Sequence, residues 1–200
     1  MTARDNDDQP ETFISVDIET AGPVPSRYAI LSIGACRVDD PEQTFYVELQ
    51  PEHTAAIPEA LAVTGLSIEQ LLERGERPER AMSMFEDWVL NQVSAGSRPV
   101  FTAFNAAFDW MFIADYFERH LGRNPFGYSA LDIKAFAMGS GNTSWAATSM
   151  DVLAARHLGG RALTHNALAD AQDQAELFRH LLDERDALAG ATTTTVSLGE

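Results

Sequence analysis

Two carboxylates separated by one residue, Asp17 and Glu19, close the run Phe13-Ile14-Ser15-Val16-Asp17-Ile18-Glu19-Thr20. The run alternates in type. As a β-strand it therefore places Ile14, Val16 and Ile18 on one face and Ser15, Asp17 and Glu19 on the other. Neighbouring acids at the end of a half-buried strand raise each other's pKa, and a bound cation is the economical way to keep both ionised. Donors that are all oxygen point to Mg²⁺ or Mn²⁺. Three more residues share this chemistry. Asp109 lies between Phe108 and Trp110 in the first turns of an expected helix, where an unpaired charge is costly. Asp170 sits in the first turns of the last helix, with His165 in the loop before it. Each has a plainer reading alone: a strand leaving the core, an acid at the positive end of a helix, a solvated loop histidine. Their common address favours chemistry, because a strand end and the starts of two helices converge on one edge of an α/β sheet.

The elements that position these groups follow from pattern and punctuation. A turn over residues 21–25 separates the acidic strand from an apolar run over 28–38, and residues 39–42 connect that run to an alternating segment, Thr44 to Leu49. Such short connections predict an antiparallel meander of three strands. Helices are expected from Pro58, from Ser67 and from near Pro78. In the third, Met82, Phe85, Trp88 and Val89 form a core stripe, with Glu86 and Asp87 outward. Residues 98–104 read as a buried strand parallel to the first, followed by a helix over 106–121 that Asn105 caps and Gly122 ends. Residues 130–133 read as a fifth strand entering a short helix through Met138. Another helix spans about 149–158. Asn166 caps the last helix, whose stripe is Leu168, Ala171, Ala175, Phe178 and Leu181 or Leu182, with Asp170 and Asp173 off it.

Two hundred residues with 45% apolar content fit one domain, expected over 12–188, with flexible tails at 1–11 and 189–200. No apolar run approaches the roughly 20 residues of a membrane span and no signal-peptide layout is present, so no membrane contact and a cytoplasmic location are expected. The single cysteine, Cys36, fits a reducing compartment. A net charge of −16 argues against broad adhesion to nucleic acid, which needs a basic face, but leaves room for a local, metal-bridged contact.

The segments Phe13 to Thr20, Phe104-Asn105-Ala106-Ala107-Phe108-Asp109 and His165-Asn166-Ala167-Leu168-Ala169-Asp170 resemble, in order and spacing, the three motifs of the DEDDh exonucleases. That family includes the bacterial proofreading subunit, ribonuclease T and oligoribonuclease. The likeness runs from about residue 12 to residue 182. It implies the ribonuclease H-like α/β fold, a mixed five-stranded sheet flanked by helices. The implied activity is metal-dependent 3′-to-5′ exonuclease action on single-stranded RNA or DNA 3′ ends, releasing nucleoside 5′-monophosphates. Asp17, Glu19, Asp109 and Asp170 would hold two divalent ions, Mg²⁺ or Mn²⁺, with His165 as the base and Thr20, Phe108 and Phe126 at the substrate. Residues 58–65, 123–126 and 175–178 look most like ribonuclease T, whereas Phe104, Pro23 and Val63 depart from its pattern. Two alternatives are a non-catalytic nucleic-acid-binding module of the same fold and a phosphohydrolase of small nucleotides. Against local contact alone stands a hidden basic track, made by Arg27, Arg37, Arg119, Arg123 and Arg161 or supplied across a homodimer.

Overall fold

The computed structural model describes residues 9–162 and 164–196. Five strands form one sheet: β1 (Glu11–Thr20), β2 (Ile30–Arg37), β3 (Thr44–Glu48), β4 (Arg98–Ala103) and β5 (Ala130–Asp132), in the order β3-β2-β1-β4-β5. The β1, β2 and β3 strands make the expected antiparallel meander. Both β4 beside β1 and β5 beside β4 run parallel, so the sheet is mixed. Helices α1 (Pro58–Thr64), α2 (Ile68–Arg74) and α3 (Pro78–Gln92) lie between β3 and β4, and α4 (Ala107–Leu121) lies between β4 and β5. Helices α5 (Ile133–Ser140), α6 (Met150–His157) and α7 (Ala167–Val196) complete the chain, with a 3₁₀ turn at Trp145–Thr148. Among the described residues no helix is long and apolar enough to cross a membrane.

The alternation in β1 is realised, because its two faces meet different helices. Ile14, Val16 and Ile18 join a core with Met82 and Phe85 of α3 and Phe112 of α4. The opposite face meets α7, where the fully buried Ser15 donates its hydroxyl to the Ala171 carbonyl at 2.8 Å. Cys36 of β2 contacts the same oxygen at 3.5 Å. A side-chain hydroxyl bonded to helix backbone lets a helix approach a sheet more closely than an aliphatic layer allows. Gly34, opposite Asp17 in the β1–β2 register, makes the approach possible. A Cβ there would stand 2.2 Å from the Ala167 carbonyl carbon and the Leu168 nitrogen.

Several expectations are corrected by packing. Glu86 does not face solvent. It is buried on α3 and accepts from Arg123 Nε at 2.7 Å, because the chain just past Gly122 folds back over α3. Asn105 does not cap α4 with its side chain; it takes a left-handed φ of 60° in the turn after β4, and Ala106 is the cap residue. Asp170 lies within the buried face of α7, not off it. The α7 helix continues past position 188 through the threonine run to Val196, since extending a formed helix costs far less than starting one. Glu11, expected in the leading tail, is the first residue of β1, paired with Arg98 of β4. Of the rest of the expected tails, residues 1–8 and 197–200 lie outside the described residues.

Gly34→Ala should destabilise the protein by at least about 2 kcal/mol, because the added methyl meets backbone that cannot swing aside. Urea denaturation checks this, and a midpoint equal to the parent's would show that the helix has room to move.

Candidate active site

The carboxylates converge where β1 outruns its parallel neighbour. The β1–β4 pairing ends at Ser15 opposite Thr102, and beyond it the Ile18 N–H donates to Asp109 Oδ1 at 3.2 Å, so the first turn of α4 completes the strand's hydrogen bonding. On the β2 side the register shifts between Glu19 and Thr20, and such a bulge re-aims the side chains at a strand end. Asp109 and Asp170 are buried, whereas Asp17 and Glu19 are half-buried.

Asp170 is oriented by its own loop. The Thr164 N–H and hydroxyl donate to Oδ1 at 2.8 and 3.0 Å, and the His165 N–H donates to Oδ2 at 2.9 Å. This wrap needs a left-handed turn, and His165 supplies it with a φ of 55°, a conformation uncommon outside glycine. Asn166 then caps α7 by accepting from the Ala169 N–H at 3.1 Å, as expected. The imidazole of His165 is exposed, and ligand atoms of Glu19, His165 and Asp170 lie within 4.8 Å of one another.

Burial and mutual repulsion dominate the electrostatics. Burial first, then the charges of Asp109, Glu19 and Asp170, hold the Asp17 carboxyl well above the ordinary range, against the lowering effect of a hydrogen bond from Gln174. Burial and the Asp170 charge push Glu19 up to about 7. Burial raises Asp109 to about 8, with Glu19 and Asp132 adding to the effect while backbone N–H donors oppose it. An all-carboxylate cluster that gains protons for lack of counter-charge fits a hard divalent cation.

Of the three expected substrate residues, two are brought to the acids. Glu19, Thr20 and Phe108 line one open groove with Ala60 and Val63 of α1. The Thr20 hydroxyl itself donates to the Gly22 carbonyl at 2.9 Å. Phe126 is not brought there. It is buried against Phe85, Phe101 and Phe117 with centroids 5.3 to 6.3 Å apart, as core packing. Sequence reasoning missed Gln174, which is buried on α7 and donates to Asp17 Oδ1 at 2.6 Å while accepting from the Phe104 N–H at 2.9 Å. Its spacing of four from Asp170 places both on one helix face, which is the signal that would have found it.

Because Glu19 and Asp109 titrate higher in the folded chain than in the unfolded one, the native state keeps protons that the unfolded state has released between about pH 4 and pH 8. Stability of the metal-free protein should therefore fall as pH rises through that window. The melting temperature in EDTA should decline from pH 5 to pH 9, less steeply in Asp109→Asn, and millimolar Mg²⁺ should restore it at the alkaline end. A flat profile in EDTA would contradict the raised proton affinities.

A family model described as the 3′-5′ exoribonuclease Rv2179c-like domain matches residues 12–182. The 3′-5′ DNA exonuclease Cap18 of Escherichia coli is 45% identical over 174 residues, covering 87% of this chain and 92% of that protein. Ribonuclease T of Histophilus somni (strain 129Pt) is 30% identical over 189 residues, covering 88% and 86%. The likeness to ribonuclease T therefore stands, but it is weaker than the likeness to Cap18. Among solved structures, the nuclease domain of 3′hExo, a DEDDh family member bound to rAMP, superimposes with a TM-score of 0.71 at 18% identity, covering 88% of this chain and 94% of that one. That likeness supports the ribonuclease H-like fold read from the three motifs.

Proposed function

This chain belongs to the Rv2179c-like 3′-5′ exoribonuclease family, and on that premise we propose that it removes nucleoside 5′-monophosphates from single-stranded 3′ ends with the help of divalent cations. Family membership makes it a 3′-to-5′ exonuclease and speaks against both a non-catalytic binding module and a small-nucleotide phosphohydrolase. The observation that carries the mechanism is the convergence of Asp17, Glu19, Asp109 and Asp170 with His165, drawn from three distant segments onto one sheet edge. The greater identity with a DNA exonuclease favours DNA as the strand acted on.

The four carboxylates would hold two ions, Mg²⁺ or Mn²⁺. Bound there, such ions supply Lewis acidity for the attacking water and for the departing 3′ oxygen of a phosphodiester. The chain's own residues do the rest. Gln174 and the Ile18 N–H fix the Asp17 and Asp109 carboxylates before substrate arrives, so little reorganisation remains. Phe108 offers a ring face to the terminal base, and the groove beside Thr20 receives the terminal nucleoside. His165, exposed and next to Glu19 and Asp170, takes the proton from the attacking water onto its imidazole as the general base.

Four of the five arginines considered for a basic track are neutralised locally. Arg37 pairs with Asp39, Arg119 with Glu52 and Asp115, Arg123 with Glu86, and Arg161 with Asp173 and Glu176. This supports attraction concentrated at the 3′ terminus, with little counterion release. The logarithm of KM should then vary with the logarithm of salt by a slope of about 1 to 3, and a steeper slope would point to a basic surface assembled across subunits.

The deciding assay offers 5′-labelled single-stranded DNA, single-stranded RNA and blunt duplex with Mg²⁺ or Mn²⁺, beside EDTA. Stepwise shortening of single strands, abolished by EDTA, is expected. His165→Ala should lower turnover by about 10²- to 10⁴-fold while calorimetry still records Mn²⁺ binding, and Asp170→Asn should lose most of the metal-induced gain in melting temperature. Undiminished turnover in His165→Ala would remove the imidazole from the mechanism.

A further inference from the structure

Lys134, the only lysine in the chain, makes no ion pair among the described residues of a protein with a net charge of −16. Its ammonium instead lies 4.1 Å from the ring centroid of Trp145 and 5.7 Å from that of Phe104. Trp145 is half exposed. Its backbone is held rigidly, since the fully buried Thr148 donates its hydroxyl to the Trp145 carbonyl at 2.8 Å and closes the 3₁₀ turn. A half-exposed ring with an ammonium over its face is an attractive cation–π pair that leaves both a stacking surface and a positive charge open to a ligand.

The position of the pair gives it a use. The strands β1, β4 and β5 are parallel, so their C-terminal ends share one sheet edge. Glu19 lies at the end of β1, Phe104 directly follows β4, and Lys134 lies two residues beyond the end of β5. By the register the last residue of β5, Asp132, is level with Ala103 of β4 and hence with Val16 of β1, so at a strand spacing of about 4.8 Å β5 ends roughly 10 Å from β1 one residue before Asp17. The connection is also physical, because the Phe104 N–H bonds Gln174, and Gln174 bonds Asp17. The groove of Thr20, Val63 and Phe108 meets Glu19 from the β1 and α1 side, whereas Lys134 and Trp145 stand beyond the acids on the β5 side.

We propose that Lys134 and Trp145 form a second subsite, which holds the single strand upstream of the penultimate nucleotide, beyond the reach of a dinucleotide. This inference rests on the exonuclease reading above. Trp145 stacks on a base, which tolerates any sequence, and Lys134 swings from the ring to the adjacent phosphate. An acidic protein thereby gains a local anion site without a basic face.

The test compares a dinucleotide with an octanucleotide as 5′-labelled single strands, in Trp145→Ala, Lys134→Ala and Trp145→Phe. For the octanucleotide, KM should rise about tenfold in both alanine variants, with kcat unchanged and with most of the loss restored by phenylalanine. Dinucleotide kinetics should not change. Tryptophan emission, read without turnover, gives an independent measure: an octanucleotide with a 3′ phosphorothioate linkage should quench the parent protein and quench Trp145→Phe much less. If the octanucleotide KM is unaltered, or if both lengths lose equally, the subsite is overturned while the exonuclease reading stands. If the parent shortens no strand, that reading fails, and the quenching comparison still decides whether Trp145 binds nucleic acid.

Discussion

The closeness of α7 to the central strands is the constraint on which the site depends. A helix packed on a sheet through aliphatic side chains stands about 10 Å away. Here Ser15 and Cys36 both contact the Ala171 carbonyl, and Gly34 lets the helix start press onto β2. That approach carries Asp170 and Gln174 to the end of β1, where Asp17 and Glu19 emerge. With a thicker apolar layer the carboxylates would not share a field, and the loop bearing His165 would not reach them.

Around this contact the fold accepts an electrostatic cost. Asp109 and Asp170 are buried and Asp17 is half-buried, yet among the described residues none of the three forms an ion pair with a lysine or arginine. Uncharged donors orient them instead: the N–H groups of Ile18, Thr164 and His165, the Thr164 hydroxyl and the Gln174 amide. Such donors fix direction without neutralising charge, and so leave the carboxylates available to a cation. The arginines show the complementary economy. Most are tied to acids, so the protein keeps a strongly negative exterior and confines what attracts a polyanion to the sheet edge.

The aromatic core under α4 serves the same end. Phe85, Phe101, Phe117 and Phe126 pack ring on ring beneath the helix, and Phe112 is buried beside them, which fixes the axis of α4. A fixed axis sets where the first turn presents Asp109 to β1 and Phe108 to the groove. Phe126 therefore contributes through packing, one step removed from any substrate.

By itself the sequence determined the elements and the identity of the acids. Period-two alternation in β1, apolar stripes in α3 and α4, and caps such as Asn166 are local patterns, governed by neighbours within a few residues, and they survive in the structure. The spacing of Asp17, Glu19, Asp109, His165 and Asp170 was likewise legible, because chemistry fixes residue type. What only the tertiary structure decided concerns residues that act across the fold. Whether an aromatic faces substrate or core depends on which helix covers it, so Phe108 and Phe126 parted there. Glu86 was drawn inward by Arg123, 37 residues away. Gln174 gained its partner from Asp17 across 157 residues, and Gly34 mattered only once α7 lay against it. These depend on three-dimensional proximity, which no local period encodes.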